Sequence, residues 1–352
     1  MTMKKIRYII NPISGTQRKQ GIAELALSHT DPTRYEVEVV YTEYAGHACL
    51  LAAEAVGRGV DVVVAVGGDG TVNEVGRALV HTSTALGIVP CGSGNGLARH
   101  LALPLDARGA IDVLNRCVVH TLDYGTIDSR PFFCTCGVGF DAFVSERFAT
   151  GGRRGLLAYV ENTLRSGLMY KPETYYIEDD NGTVTCKAFL IACANASQYG
   201  NDAFIAPYAS MKDGLLDVVV MEPFNAIEAP QVALQLFKGT LPANSHVKTF
   251  KASKLRLRRE GQGVAHFDGD PFWTGSTIDI ELHHAALNVV VNADGLQKPR
   301  DCRKNLLQLV PDFFGEWKTL PEVLLNRTGQ DLKKLNRNLV ELLRRDKPGE
   351  KG

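Results

Sequence analysis

A chain of 352 residues with 45% hydrophobic and 22% charged side chains has the length for two cored domains and the composition of an ordinary soluble globular protein. Its 39 basic and 39 acidic residues cancel, which excludes the basic footprint of a nucleic-acid binder. Eight cysteines without a C-x-x-C pair exclude a regular disulfide framework and read as reduced thiols, and Cys134 and Cys136, two apart on a strand, receive no metal.

The opening "KIRYIIN" reads as a strand; its apolar run breaks at Asn11-Pro12, too short for a signal segment or a membrane span, so a cytosolic chain is expected. Gln17 to Ser28 follows as a helix, "YEVEVVYT" as a strand, "GHACLLAAEAVGRG" as a helix, "DVVVAV" as a strand, "TVNEVGRALV" as a helix, "ALGIVP" as a strand, and a helix starts at Gly96. Such alternation marks βαβ units and a parallel sheet covered on both faces. From about Leu122 the texture turns to extended runs with Asn-Gly and Asp-Gly turns, such as "TYYIEDDNGTVTCKAFLIACANA", "GLLDVVVME" and "STIDIELHHAALNVVVN", which fits an antiparallel sandwich or barrel. Helices interrupt it at "GLLAYVENTLRSGLMY" and "AIEAPQVALQLFKG", and the segment from Arg300 reads as helices with a charged tail. The expected architecture is a Rossmann-like parallel α/β domain over 1–121, an antiparallel β-sandwich over 122–295 and a C-terminal helical extension over 296–352.

Glycines crowd the strand-to-helix junctions. In "VVVAVGGDGTVNEVGRAL" the strand runs into Gly67, Gly68 and Gly70 at a helix start, where unpaired N–H groups and the helix dipole suit a phosphate. A tight turn that binds nothing is the plain alternative, and Gly70 is expected to need its bare backbone or a positive φ. "NPISG" after the first strand and "PCGSGNGLAR" after the fourth place two more such turns at the same sheet edge, and none fits G-K-[ST] or G-x-G-x-x-G.

Together "NPISG", "GGDGTVNE", "PCGSGNGLAR", "MKDGLLDVVV" and "HFDGDPF" resemble the catalytic region of the diacylglycerol kinase and sphingosine kinase superfamily, over roughly Lys4 to Asn292. The resemblance implies that Asn11, Ser14 and Gly15 border ATP, that Thr42 lies near its adenosine, and that Gly67, Gly68, Asp69, Gly70, Thr71, Asn73 and Glu74 wrap its phosphates. It implies further that Asp69 helps to organise Mg2+, that Ser93, Gly94 and Asn95 contact phosphate, and that Asp268 and Asp270 match an Asp-Gly-Glu motif whose carboxylate is the general base. Asp213, with main-chain oxygens of Ser210 and Leu215, resembles a bound-magnesium site.

Two departures stand out: Gly96 occupies a position where bacterial diacylglycerol kinases carry Asp, and Asp270 replaces Glu. The first is closer to the sphingosine kinase form, so a sphingoid base is preferred over diacylglycerol, with Asp141 pairing its ammonium. Read on its own, Asp141 either reads a head group or caps the following helix. His266 is either a surface or satisfied histidine or a residue that tunes Asp268. Arg153 and Arg154 are a solvated loop or an anionic-lipid contact, and the apolar stripe of 155–169 is core or an acyl-pocket wall.

The expected activity is ATP- and Mg2+-dependent phosphorylation of a lipid hydroxyl, transiently at the inner membrane surface, with no nucleic-acid partner and room for a homodimer. The alternatives are an NAD kinase, which shares a Gly-Gly-Asp-Gly loop, and a non-catalytic nucleotide- or lipid-binding module.

Overall fold

The computed structural model describes residues 3–13, 20–150, 170–179, 182–225 and 228–292, all within one folded unit, Met1–Arg300. The readings for Ser14, Gly15, Arg153, Arg154, the helix over 155–169 and the C-terminal helices lie outside the described residues. Among the described residues no helix is long and apolar enough to cross a membrane.

Four parallel strands, β1 (Lys4–Ile10), β2 (Tyr35–Tyr41), β3 (Val62–Gly67) and β4 (Ala85–Pro90), alternate with α1 (Gln20–His29), α2 (His47–Gly57) and α3 (Asp69–Leu79). They stand in the order β2-β1-β3-β4. Both β3 and β4 are buried at every residue, because helices cover both faces; their sequences are therefore unbroken apolar runs instead of alternating ones. Ile10 pairs with Tyr41 and Val66, and Gly67 with Pro90. The strand ends are thus level, and the three glycine-rich loops leave from one sheet edge.

The helix expected from Gly96 divides into α4 (Gly96–His100) and α5 (Ala107–Arg116). Pro104 disfavours helical backbone at the residue before it, and Asp106 restarts the helix by accepting from Gly109 N at 2.8 Å.

The second half contains β5 (Val119–Ile127), β6 (Arg130–Phe132), β7 (Thr135–Gly139), α6 (Phe140–Thr150), β8 (Glu173–Asp179), β9 (Gly182–Ala188), β10 (Leu190–Ala194) and β11 (Leu216–Met221). It continues with α7 (Ala229–Lys238), β12 (Val247–Ala252), β13 (Lys254–Arg258), β14 (Gly263–Phe267), β15 (Asp270–Thr274) and β16 (Thr277–Val290). Six of these strands form an antiparallel sheet ordered β12-β11-β10-β7-β14-β15.

That sheet is apolar on both faces. Ile191, Cys193, Val218 and Val220 pack against Leu255, Leu257, Ile278 and Ile280 of the other sheet. Their sequence neighbours Leu190, Ala192, Val219 and Met221 pack on the opposite side with Val232 and Leu236 of α7. Each large side chain so buried contributes roughly 1.5–3 kcal/mol, and the double burial explains why "FLIACANA" and "LLDVVVM" do not alternate. By contrast β13 does alternate: Leu255 and Leu257 point inward while Lys254, Arg256 and Arg258 point out.

The last strand, β16, joins the two halves. Its first part pairs with β13, and Val289 pairs in parallel with Leu86 of β4. A register shift between His283 and Leu287, with Ala285 at φ 49, lets one strand serve both. The N-terminal parallel sheet is therefore completed by the end of the described chain.

Candidate active site

The second and third glycine-rich loops pack backbone against backbone. A Cβ on Gly92 would lie 2.5 Å from Gly68 Cα, and a Cβ on Gly67 would overlap the Thr71 side chain. Gly67 and Gly68 are thus also demanded by neighbouring protein. Gly70 differs. Nothing lies within 4 Å of where its Cβ would stand, and its φ is not in the left-handed region, so the expected penalty on positive φ does not apply. The bare space at Gly70 opens at the first turn of α3, where N–H groups have no intrahelical acceptor.

Asp69, the first residue of α3, ties the second loop to the third by accepting from Asn95 N at 2.9 Å and Gly96 N at 2.7 Å. Burial pushes its carboxyl up to about 6; the Gly96 amide opposes the shift and the Asp268 charge adds to it. Asn95, at φ 50, closes its own loop through Gly92 N and O at 2.9 and 2.8 Å. Ser93 is exposed and Gly94 stands against Asp69. A Cβ at Gly96 would sit 3.2 Å from Tyr199 O and 3.4 Å from Cys134 Sγ, a tight fit.

Several of the remaining nucleotide residues act within the protein. Asn11 Nδ2 donates to Thr71 Oγ1 at 3.1 Å, and Thr42 N–H donates to Ile10 O at 2.9 Å from a buried position. Glu74 accepts from Gly46 N at 2.8 Å and Ala48 N at 3.1 Å. It supplies the carboxylate that the α2 N-terminus, capped by Gly46, lacks. Asn73 Nδ2 donates to Pro131 O at 3.0 Å and Asp268 Oδ2 at 2.9 Å.

Facing the loops is a cavity of about 300 Å³ whose wall includes Asp69, Ser93, Asp141, His266, Asp268 and Asp270. Asp268 and Gly269, at φ 47 and 88, form the two-residue turn between β14 and β15, the geometry that Asp-Gly favours. Asp268 is nonetheless more than a turn residue. Its carboxylate accepts from Phe133 N at 2.9 Å, Cys134 N at 2.7 Å, Thr135 N at 3.2 Å and Asn73. Burial raises its pKa against the pull of these donors. Asp270 has no hydrogen-bonding partner among the described residues. Asp270 is an exposed residue on the cavity wall; partial desolvation by the surrounding protein and the charges of Asp268 and Glu74 raise its pKa, while Arg77 and His266 oppose them.

On the opposite wall Asp141, in the first turn of α6, accepts from Tyr199 OH at 3.1 Å and His266 Nε2 at 3.0 Å through Oδ2. Its Oδ1 accepts from Ala142 N at 2.8 Å. His266 is 1% exposed and its Nδ1 has no partner. It is therefore neither a surface nor a satisfied histidine, and its hydrogen bond goes to Asp141 instead of Asp268. An unmet buried ring nitrogen costs roughly 1–3 kcal/mol. Burial and the charges of Asp268 and Asp69 hold the Cys134 thiol's pKa well above the ordinary value.

Sequence reasoning missed Tyr199 and the loop that carries it. Gly200, at φ 118, lies against Gly94, and Asp202 pairs with Arg99 at 3.0 Å. "ASQYGNDAF" carries no motif, so only the fold could place it.

Where the sequence resembles a bound-magnesium site, the Asp213 carboxylate is engaged within the protein. Asp213 Oδ2 is met by Lys251 Nζ at 2.8 Å, its Oδ1 accepts from Leu215 N at 3.2 Å, and Ser210 Oγ accepts from Lys212 N. Lys251 also holds Asp217 at 2.9 Å. Among the described residues no three His, Cys, Asp or Glu side chains gather as an ion cage. The cavity's carboxylates suit instead a magnesium that arrives with phosphates, because Mg2+ is usually held by one or two carboxylates plus substrate oxygens.

Residues 5–127 match the family described as Diacylglycerol kinase catalytic domain, and residues 134–295 match the YegS C-terminal NAD kinase beta sandwich-like domain. The chain is 29% identical over 278 residues to a Diacylglycerol kinase of Bacillus subtilis, covering 76% of this chain and 90% of that one. To a Diacylglycerol kinase of Mycobacterium tuberculosis it is 28% identical over 295 residues, covering 81% and 94%. Its fold is similar to the crystal structure of a diacylglycerol kinase from Bacillus anthracis, with TM-score 0.64, 19% identity and coverage of 84% and 99%. An NAD kinase from Archaeoglobus fulgidus in complex with ATP follows, at TM-score 0.51, 13% identity and coverage of 85% and 99%.

Proposed function

The chain belongs to the diacylglycerol kinase and sphingosine kinase superfamily and is a phosphotransferase with an alcohol acceptor, and from that premise we propose that it moves the γ-phosphoryl group of ATP to the hydroxyl of a membrane lipid at the cavity between the glycine-rich loops and β14–β15. One observation carries this reading: Asp69, the first residue of the α3 N-terminus, and Asp270, whose carboxylate has no hydrogen-bonding partner among the described residues, line the same cavity. Phosphoryl transfer asks for those two things, a cradle for phosphate and an acceptor for the hydroxyl proton.

In this reading the α3 N-terminus and the loop Ser93–Asn95 hold the phosphates. The hydroxyl proton passes to Asp270, the lipid oxygen bonds to the γ-phosphorus, and the bond to the β-phosphate oxygen breaks to release ADP. Asp268, spent on the amides of Phe133 to Thr135, fixes the turn that presents Asp270. Mg2+ entering with ATP would be held by Asp69 and would neutralise phosphate charge. The acceptor resides in a bilayer, so the protein works at a membrane surface.

Two lipid classes fit. The relatives carry the name Diacylglycerol kinase. A sphingoid base is favoured by the Asp141 carboxylate, an anion on the acceptor wall suited to an ammonium group. Rates for sphinganine and diacylglycerol decide between them. A kcat/KM for sphinganine at least about tenfold higher, ~1.4 kcal/mol of discrimination, supports the ammonium pairing, and the reverse order assigns diacylglycerol.

Gly70→Ala separates the cradle from the fold. Alanine in an exposed helical turn is harmless or slightly stabilising, so Tm should hold, while KM for ATP rises about tenfold or more because the methyl group enters the phosphate space. An unchanged KM would move the phosphates away from α3.

A further inference from the structure

Asp141 and His266 come from different elements, α6 and β14, and meet over β7 at a position that the sequence keeps as glycine. A Cβ on Gly137 would lie 2.6 Å from both Asp141 Oδ2 and Ile191 O and 3.2 Å from His266 Nε2, so glycine there leaves room for the adjacent strand and for the pair alike. Gly137 is also the cross-strand partner of His266. The histidine is buried, with Nε2 on Asp141 and Nδ1 left unmet. The ring stands beside Tyr199 and makes its hydrogen bond to Asp141.

The acceptor capacity of Asp141 can be counted. A carboxylate has about four lone-pair positions. Tyr199 and His266 occupy Oδ2, and Ala142 N–H occupies one position on Oδ1. One position on Oδ1 remains, on a side chain that lines the cavity.

We propose that His266 is a positioning residue: through Nε2–H it holds the Asp141 carboxylate so that its one uncommitted acceptor position meets a hydrogen-bond donor on the head group of the acceptor lipid. The inference rests on the lipid-kinase reading above. The donor is a group other than the hydroxyl that is phosphorylated, either the ammonium of a sphingoid base or a second hydroxyl of the head group.

The test is steady-state kinetics of the full chain with sphinganine, a monoacylglycerol and a diacylglycerol in mixed micelles. His266→Phe keeps the ring volume and removes the donor, whereas His266→Gln can return an N–H toward Asp141. For a lipid that carries a second donor, sphinganine or the monoacylglycerol, His266→Phe should raise the lipid KM about tenfold or more, with KM for ATP and kcat within about twofold, and His266→Gln should recover most of the loss. The effect of His266→Phe should vanish in an Asp141→Asn background, because the two residues act as one unit. A loss confined to sphinganine identifies the ammonium as the donor, and a loss shared by the monoacylglycerol identifies a hydroxyl other than the reacting one; an equal loss on diacylglycerol, whose single hydroxyl gives its proton to Asp270, would overturn the assignment.

An unchanged KM for both sphinganine and the monoacylglycerol in a folded His266→Phe protein, or effects that simply add to those of Asp141→Asn, would overturn the proposal. Should His266→Phe fail to fold, the His266→Gln protein and Asp141→Asn alone still decide: Asp141→Asn without effect on lipid KM sinks it. Failure of the underlying reading looks different, since wild-type protein would then phosphorylate no lipid at all.

Discussion

Asp270→Asn should lower kcat by roughly 10²- to 10⁴-fold, the usual contribution of a positioned general base, while KM for ATP and Tm stay near their wild-type values. The expectation follows from how differently the two acids of "DGD" are placed. Asp270 has no hydrogen-bonding partner among the described residues, and its surroundings raise its affinity for a proton. Removing its charge breaks no contact in the described protein. Steady-state kinetics with saturating lipid, together with a thermal melt, checks both halves. If kcat survives and only a KM moves, Asp270 positions substrate and the proton goes elsewhere, with Asp69 next in line.

Asp268→Asn should act on stability first. The carboxylate accepts three backbone N–H groups and the Asn73 amide. An asparagine would turn an NH2 toward donors, and Asn73 cannot flip to compensate without losing Pro131 O. Two buried donors left unmet amount to roughly 2–4 kcal/mol, or a Tm lowered by roughly 5–12 °C. Activity should fall with the geometry of the turn, and the loss should exceed what the unfolded fraction explains only modestly. This revises the expectation from the motif alone, under which Asp268→Asn would leave the protein intact and slow only the chemistry. A melt superimposable on wild type with kcat reduced 10²-fold would restore Asp268 as the base.

What could be read from the sequence was local. The apolar runs of β3 and β4, the glycines at their ends and the helix periodicity of α3 all lie within a few residues of one another, and their placement at one sheet edge follows from the parallel βαβ pattern. The antiparallel texture after Leu122 was legible for the same reason. The roles of single side chains were less so, because they depend on partners far along the chain. Asp268 is anchored by amides 133 to 135 residues away, and Lys251 covers Asp213 from a different strand. Glu74 looked like part of a phosphate loop, yet its oxygens cap a helix that precedes it.

Steric demands were likewise hidden. Three glycines in "GGDG" look alike as letters, but Gly67 and Gly68 answer to protein and Gly70 to open space. Nor does periodicity reveal that β16 crosses from one sheet to the other, since the bulge at Ala285 carries no glycine or proline to mark it. His266 was legible as a residue in the right strand; its partner was not.

The most direct measurement is the fate of the γ-phosphoryl group when the full chain meets γ-labelled ATP, Mg2+, mixed micelles of diacylglycerol and sphinganine, and NAD. The account predicts label in a lipid phosphate monoester, formed one-for-one with ADP, absent from NAD, and lost to background with Asp270→Asn. ATP bound without transfer of label to lipid, or label found in NAD, would contradict it.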